Sequence, residues 1–146
     1  MDGLTKATLA TLSASNTSRD DWLALLDLSF HHHLPESRAL AIRNLTSMFA
    51  GMVSKKIILA QKYQVKHWLR DGLQELVQRK QPLSDDEGEV LGFKTVLKLY
   101  RARDSYNAQS RLYYYSEARD EGAIAEIEKE FGSELGEMND EPNAGN

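Results

Sequence analysis

The sequence predicts an all-α fold, an array of about five to seven helices that includes two similar helical hairpins. Three observations lead there. Apolar residues recur at three- and four-residue spacing along most of the chain, as in Trp22, Leu25, Leu26 and again in Leu69, Leu73, Leu76. Ser18 with Asp21 and Ser84 with Glu87 stand at the spacing of helix-opening capping boxes. No segment alternates apolar and polar residues for long enough to make a convincing strand.

Residues 1–17, rich in Ala, Ser, Thr and Asn, are expected to be a flexible N-terminus. Ser18 opens a first helix, with Asp21 favourably placed for the helix dipole and Trp22, Leu25, Leu26 and Leu28 to Phe30 on its apolar side. Pro35 suits the first turn of a second helix, because its missing N–H leaves nothing unsatisfied there. Leu40, Ala41, Ile42, Leu45, Met48 and Phe49 continue that helix until Gly51 stops it. A third helix covers about 54–63, with Ile57, Ile58 and Leu59 inward, and a fourth covers about 66–79, with Trp68, Leu69, Leu73, Leu76 and Val77 inward. After the turn KQPL, Ser84 caps a longer helix. Val90, Phe93, Val96, Leu97 and Tyr100 outline the apolar face of that helix, and Gly88 and Gly92 weaken its first turns. Ala123, Ile124, Ile127 and Phe131 mark a last amphipathic helix. The expected organisation is one helical domain over 18–132 followed by an acidic, disordered tail over 133–146.

The first two helix pairs resemble each other without gaps at an offset of 31 residues. Leu26 matches Ile57, Leu28 matches Leu59, Ser29 matches Ala60, His32 matches Tyr63 and Leu34 matches Val65. In the second helices Ala41 matches Gly72, Ile42 matches Leu73 and Leu45 matches Leu76. The pattern describes one hairpin used twice: an apolar helix, a tight turn with an aliphatic residue inward, and a second helix with a small residue at the crossing.

Composition narrows the class. A chain of 146 residues with 41% hydrophobic and 27% charged residues suits a single folded domain and excludes disorder throughout. No apolar run reaches the 18 or so residues of a membrane span, and the N-terminal residues do not form the apolar core of a secretory leader. The absence of cysteine excludes disulfides, thiolate metal sites and cysteine catalysis, and fits an intracellular protein, cytoplasmic or nuclear. The net charge of −4 is the sum of a body over 1–119 at +4 and a C-terminal stretch over 120–146 at −8. We read the acidic stretch as a solvated helix and solubilising tail. The competing reading is an acidic arm that docks on the basic body.

Few residues offer chemistry. His31, His32 and His33 are consecutive, so on a helix they point about 100° apart and cannot converge on one ion; His32 is expected to be partly buried. Glu87 is explained by its capping box better than by acid–base catalysis. There is no phosphate-binding glycine loop and no nucleophile elbow, so no enzyme activity, no metal and no cofactor is expected. Lys94, Lys98 and Arg101 share one helix face and could follow a phosphate backbone, which makes them the nucleic-acid-binding alternative. A pI near 5.6 disfavours that partner. Tyr113, Tyr114 and Tyr115 cannot all enter one core from a helix. At least one should stay exposed, which makes the three candidate protein-binding anchors.

The stretch DDWLALLDLSFHHHLPESRALAIRNLT resembles the last helical hairpin of a BTB/POZ domain, in the version common in mushroom-forming fungi. The following stretch, KKIILAQKYQVKHWLRDGLQELVQRKQPLSDDEGEVLGFKTVLKLYRARD, is similar to the helical region that follows the domain in that group. Its markers are Ile57 to Ala60, Tyr63 to Val65, Trp68-Leu69, Pro82 to Ser84, Glu87, Leu91-Gly92 and Lys98 to Asp104, and FGSEL at 131–135 resembles the end of such proteins. The resemblance spans roughly residues 20–104 and implies a non-enzymatic, adaptor-like module that binds a protein partner not identified by the sequence. The N-terminal part of the family, which forms its dimer interface and contributes to a cullin contact in some relatives, has no counterpart here. A BTB-type dimer is therefore not expected.

Overall fold

The computed structural model describes residues 18–112 and 115–138. Among them there are seven α-helices, two short 3₁₀ turns and no strand, an all-α array as expected. The helices are α1 (Arg19–His31), α2 (Pro35–Thr46), α3 (Val53–Tyr63), α4 (Lys66–Gln78), α5 (Asp85–Leu91), α6 (Phe93–Gln109) and α7 (Ser116–Glu137), with 3₁₀ turns at Ser47–Phe49 and Ser110–Leu112. Where one helical domain was expected, the described residues form two compact units, 18–50 and 51–138.

The first unit is the hairpin of α1 and α2. Ser18 accepts from the Asp21 amide at 3.2 Å while the Asp21 carboxylate accepts from the Ser18 amide at 3.2 Å, which closes the predicted capping box. Trp22, Leu25, Leu26, Ala41, Ile42 and Leu45 are buried. All three histidines of the triplet are exposed, His32 included, which corrects the expectation that it is partly buried. His32 is the C-cap residue of α1, past the helix's buried face, and His33 (φ 53°) supplies the left-handed step that turns the chain.

The second unit centres on α4, which packs against α3, α6 and α7. Its inward face is the predicted one: Trp68, Leu69, Leu73 and Leu76 are fully buried. Of Ile57, Ile58 and Leu59 only Ile57 is buried, because three consecutive helical residues cannot share a face. Gly92 (φ 87°) breaks the expected long helix into α5 and α6.

Two differences concern the C-terminal part. α7 continues past Gly132 to Glu137, and Leu135 and Met138 are buried, so structure extends into the stretch expected to be tail. The acidic helix is also docked rather than merely solvated. Asp120 accepts from Gln78 at 2.9 Å, Glu130 from Arg101 at 2.9 Å and Glu134 from Gln61 at 3.0 Å, while Glu128 lies 3.8 Å from Arg70. The apolar stripe of Ala123, Ile127, Phe131 and Leu135 brings these carboxylates within reach of α3, α4 and α6.

Candidate protein-binding surface

The tyrosine cluster lies where α6 gives way to α7. The 3₁₀ turn Ser110–Leu112 ends α6, and Tyr115 is the N-cap residue of α7, with extended backbone (φ −116°, ψ 150°) and no capping bond from its side chain. Its carbonyl accepts from the Arg119 amide at 3.1 Å, so the backbone serves the helix while the phenol points to water. Tyr115 is 75% exposed and Leu112 is 70% exposed. Tyr113 and Tyr114 lie outside the described residues. The expectation that at least one of the three tyrosines faces solvent is met by Tyr115. Tyr106, one helical stretch earlier, is buried.

The basic residues of α6 are placed differently from a phosphate track. Lys94 is exposed, but the Lys98 ammonium sits 5.4 Å from the centre of the Phe131 ring and the Arg101 guanidinium donates its Nε–H to Glu130 at 2.9 Å. Two of the three cations are thus occupied by α7, and Glu130 sets a negative charge beside any phosphate that would approach.

Periodicity misjudged the outer side of this region. Val90, Phe93, Val96, Leu97 and Tyr100 outlined the expected apolar face, yet Val96 is only half-buried and the other four are 50%, 79%, 41% and 36% exposed. The buried side of α6 is instead Thr95, Leu99, Ala102, Arg103 and Tyr106. Helix α6 therefore has two apolar stripes on nearly opposite sides. The signal that identifies the inner one is Leu99, Ala102 and Tyr106 at three- and four-residue spacing, which a search weighted towards large residues passes over.

A polar cluster holds the turn between α4 and α5. The Glu87 carboxylate receives both terminal nitrogens of Arg79, at 2.7 and 2.9 Å, and the Ser84 amide at 2.9 Å. The hydrogen bonds from Arg79 hold the Glu87 carboxyl down at about 2, with help from Ser84 and against partial burial. A carboxylate so firmly ionised and paired is a structural clasp rather than a proton carrier. Arg103, buried, donates to the carbonyls of Leu76 and, at 3.1 Å, Gln81, which covers the C-terminal end of α4. Among the described residues, no three His, Asp or Glu side chains converge where they could hold a metal ion, and no helix is long and apolar enough to cross a membrane.

In comparisons with known proteins, no family model, no curated protein and no solved structure matches this chain.

Proposed function

We propose that the chain is a non-enzymatic protein–protein interaction module, adaptor-like, of the kind that the resemblance to the helical region of fungal BTB/POZ proteins implies. The observation that supports this most is the segment joining α6 to α7, where Leu112, which precedes a run of three tyrosines, and Tyr115, the last of them, stand exposed. An exposed tyrosine at a helix N-cap is a suitable anchor: it offers a large amphipathic ring, and only two side-chain torsions are frozen when it binds. The cysteine-free composition suits a partner met inside the cell.

The test has two stages. The intact chain serves as bait to identify a protein partner, and its affinity for that purified partner is then compared with that of Tyr115→Ala. The expected result is weaker capture with thermal stability within about 0.5 kcal/mol of the parent, the usual range for a surface change. Unchanged affinity removes the tyrosine segment from the binding surface.

A further inference from the structure

We propose that the chain pairs with a second copy of itself by exchanging α7: α6 and α7 join into one helix, and the α7 of each copy occupies the cleft of the other. Exchange does not depend on the tyrosine anchor.

The break between α6 and α7 is encoded less firmly than the other five. His33 (φ 53°) and Pro35 separate α1 from α2, and Gly51 (φ 77°) precedes α3. Gln64 (φ 58°) separates α3 from α4, Pro82 and the Ser84 capping box precede α5, and Gly92 (φ 87°) separates α5 from α6. From Phe93 to Glu121, by contrast, the chain has neither Gly nor Pro. Among the described residues of this connection none has a positive φ, and Ser110 still has helical backbone (φ −60°, ψ −25°). Its hydroxyl donates to the Asn107 carbonyl at 2.9 Å, a backward bond that a continuing helix also permits. α7 opens at Tyr115 with no side-chain cap. Both helix ends therefore leave backbone groups that one continuous helix would pair, and the docking of α7 is what holds the break.

The buried stripes of the two helices also share a phase. Leu99, Ala102 and Tyr106 are buried on α6, and Ala123, Ile127, Phe131 and Leu135 on α7. Leu99 and Leu135 are 36 residues apart, about ten whole turns of a continuous helix, and so are Thr95 and Phe131. One straight helix thus presents both stripes to the same side, as an antiparallel pair of copies requires. Tyr115, 16 residues past Leu99, falls on the opposite side.

The cleft selects its occupant. α7 runs antiparallel to α6, with Glu130 beside Arg101 and Phe131 beside Lys98. When two straightened copies lie antiparallel about a two-fold axis, α6 of one meets α7 of the other in this same order. The bonds Arg101 to Glu130, Gln78 to Asp120 and Gln61 to Glu134 are then remade between copies, together with the covered apolar stripe. The segment seated in this cleft is α7, and a second copy carries an identical one.

Sedimentation equilibrium of the full chain, refolded at low and at high concentration, tests the exchange, and a dimer is expected after refolding at high concentration. Ser116→Pro is the first check. Ser116 opens α7, where proline is favoured, and proline there keeps Tyr115 in the extended conformation it already has (φ −116°, ψ 150°). The variant should melt no lower than the parent yet dimerise at least about a hundredfold more weakly, because proline inside the continuous helix is disfavoured by about that factor or more. The second check refolds Arg101→Glu together with Glu130→Arg. Each alone sets like charges in its cleft, whereas an exchanged pair of one with the other sets opposite charges in both clefts. The mixed dimer should then exceed statistical mixing several-fold. A parent that stays monomeric at every concentration, a dimer that survives Ser116→Pro, or statistical mixing of the charge variants overturns the proposal. Tyr115→Ala should leave the dimer intact, since the ring lies off the stripe, so exchange and the tyrosine anchor succeed or fail separately.

Discussion

The hairpins α1–α2 and α3–α4 share a backbone plan 31 residues apart and differ in how each plan is filled. His33 and Gln64, at equivalent positions, take φ 53° and 58°. The next amide reaches back to the equivalent carbonyl in both, Leu34 to Ser29 at 2.9 Å and Val65 to Ala60 at 3.0 Å. One turn on, Arg38 donates to the Leu34 carbonyl and Leu69 to that of Val65. The left-handed step followed by this long bond is a helix stop that satisfies orphan carbonyls without a glycine. Ser29 and Ala60, both fully buried, mark the close approach to the turn. The side chains then diverge. Ser37 corresponds to Trp68, Ala41 to Gly72 and exposed His32 to buried Tyr63. A Cβ on Gly72 would stand 2.6 Å from Cγ1 of buried Ile57, so the second hairpin crosses at a distance that excludes even a methyl group there. The same topology thus tolerates an alanine in one copy and requires glycine in the other. What a repeat preserves is the turn, and what it leaves free is the packing around it.

The largest expected break in this comparison is Trp68→Ala. The indole is fully buried and the first hairpin manages with Ser37 at that place, so the cost of about 3–5 kcal/mol measures how far the second copy has come to depend on its own filling. Chemical denaturation of the two proteins checks it, and a loss below about 1 kcal/mol would mean the core closes over the cavity.

Next in size is Arg103→Met. α2 ends in a 3₁₀ turn that is closed locally, the Ser47 hydroxyl donating to the Asn44 carbonyl at 3.3 Å, whereas the end of α4 receives Arg103 from α6. Removing the guanidinium strands the buried Leu76 carbonyl, at a cost of about 1–3 kcal/mol. Amide exchange should then quicken first in the last turn of α4, and uniform quickening would contradict the capping role.

Gly72→Ala sharpens the comparison directly. Helix propensity favours alanine by about 1 kcal/mol, but the contact with Ile57 overpacks the crossing by about 1–3 kcal/mol, so a net loss is expected. The mirror change, Ala41→Gly, should lose about 1–2 kcal/mol, through helix propensity and the loss of a buried methyl group. A stabilised Gly72→Ala protein would show that α3 and α4 separate freely.

The smallest effect is a pH dependence at the Arg79–Glu87 clasp of the second unit. The Glu87 carboxyl titrates near 2 in the folded protein against an ordinary 4.5, so its contribution is complete above about 4.5 and disappears as pH falls towards 2. Glu87→Gln should be less stable than the parent at neutral pH and converge with it through that window. A constant gap across the window would mean that the Arg79 pair contributes nothing.

Much of the fold was legible because its signals are local. The two capping boxes, Pro35 at a helix start and the α4 stripe of Trp68, Leu69, Leu73 and Leu76 all emerge at their predicted places. The candidate sites were legible only in part. Tyr115 is exposed as expected, but as the extended N-cap residue of α7 rather than as one of three adjacent helical residues. Phe93 and Leu97 were misjudged because a helix with apolar residues on two sides gives two equal answers to one periodicity test. The docking of α7 was missed for a related reason: nothing in a run of glutamates tells which of them will meet Arg101, Gln61 or Gln78.

By itself, the sequence determined the helical class, the helix starts and the repeated hairpin, because these depend on contacts within a few residues and on the period of the backbone. Only the tertiary structure decided which stripe of α6 is covered, that the acidic α7 lies against its basic neighbours, that Arg103 closes the end of α4, and that Gly72 has no room for a methyl group. Each of those depends on residues distant in the chain meeting at a few ångströms, and burial at such meetings is a property of the partner as much as of the residue itself.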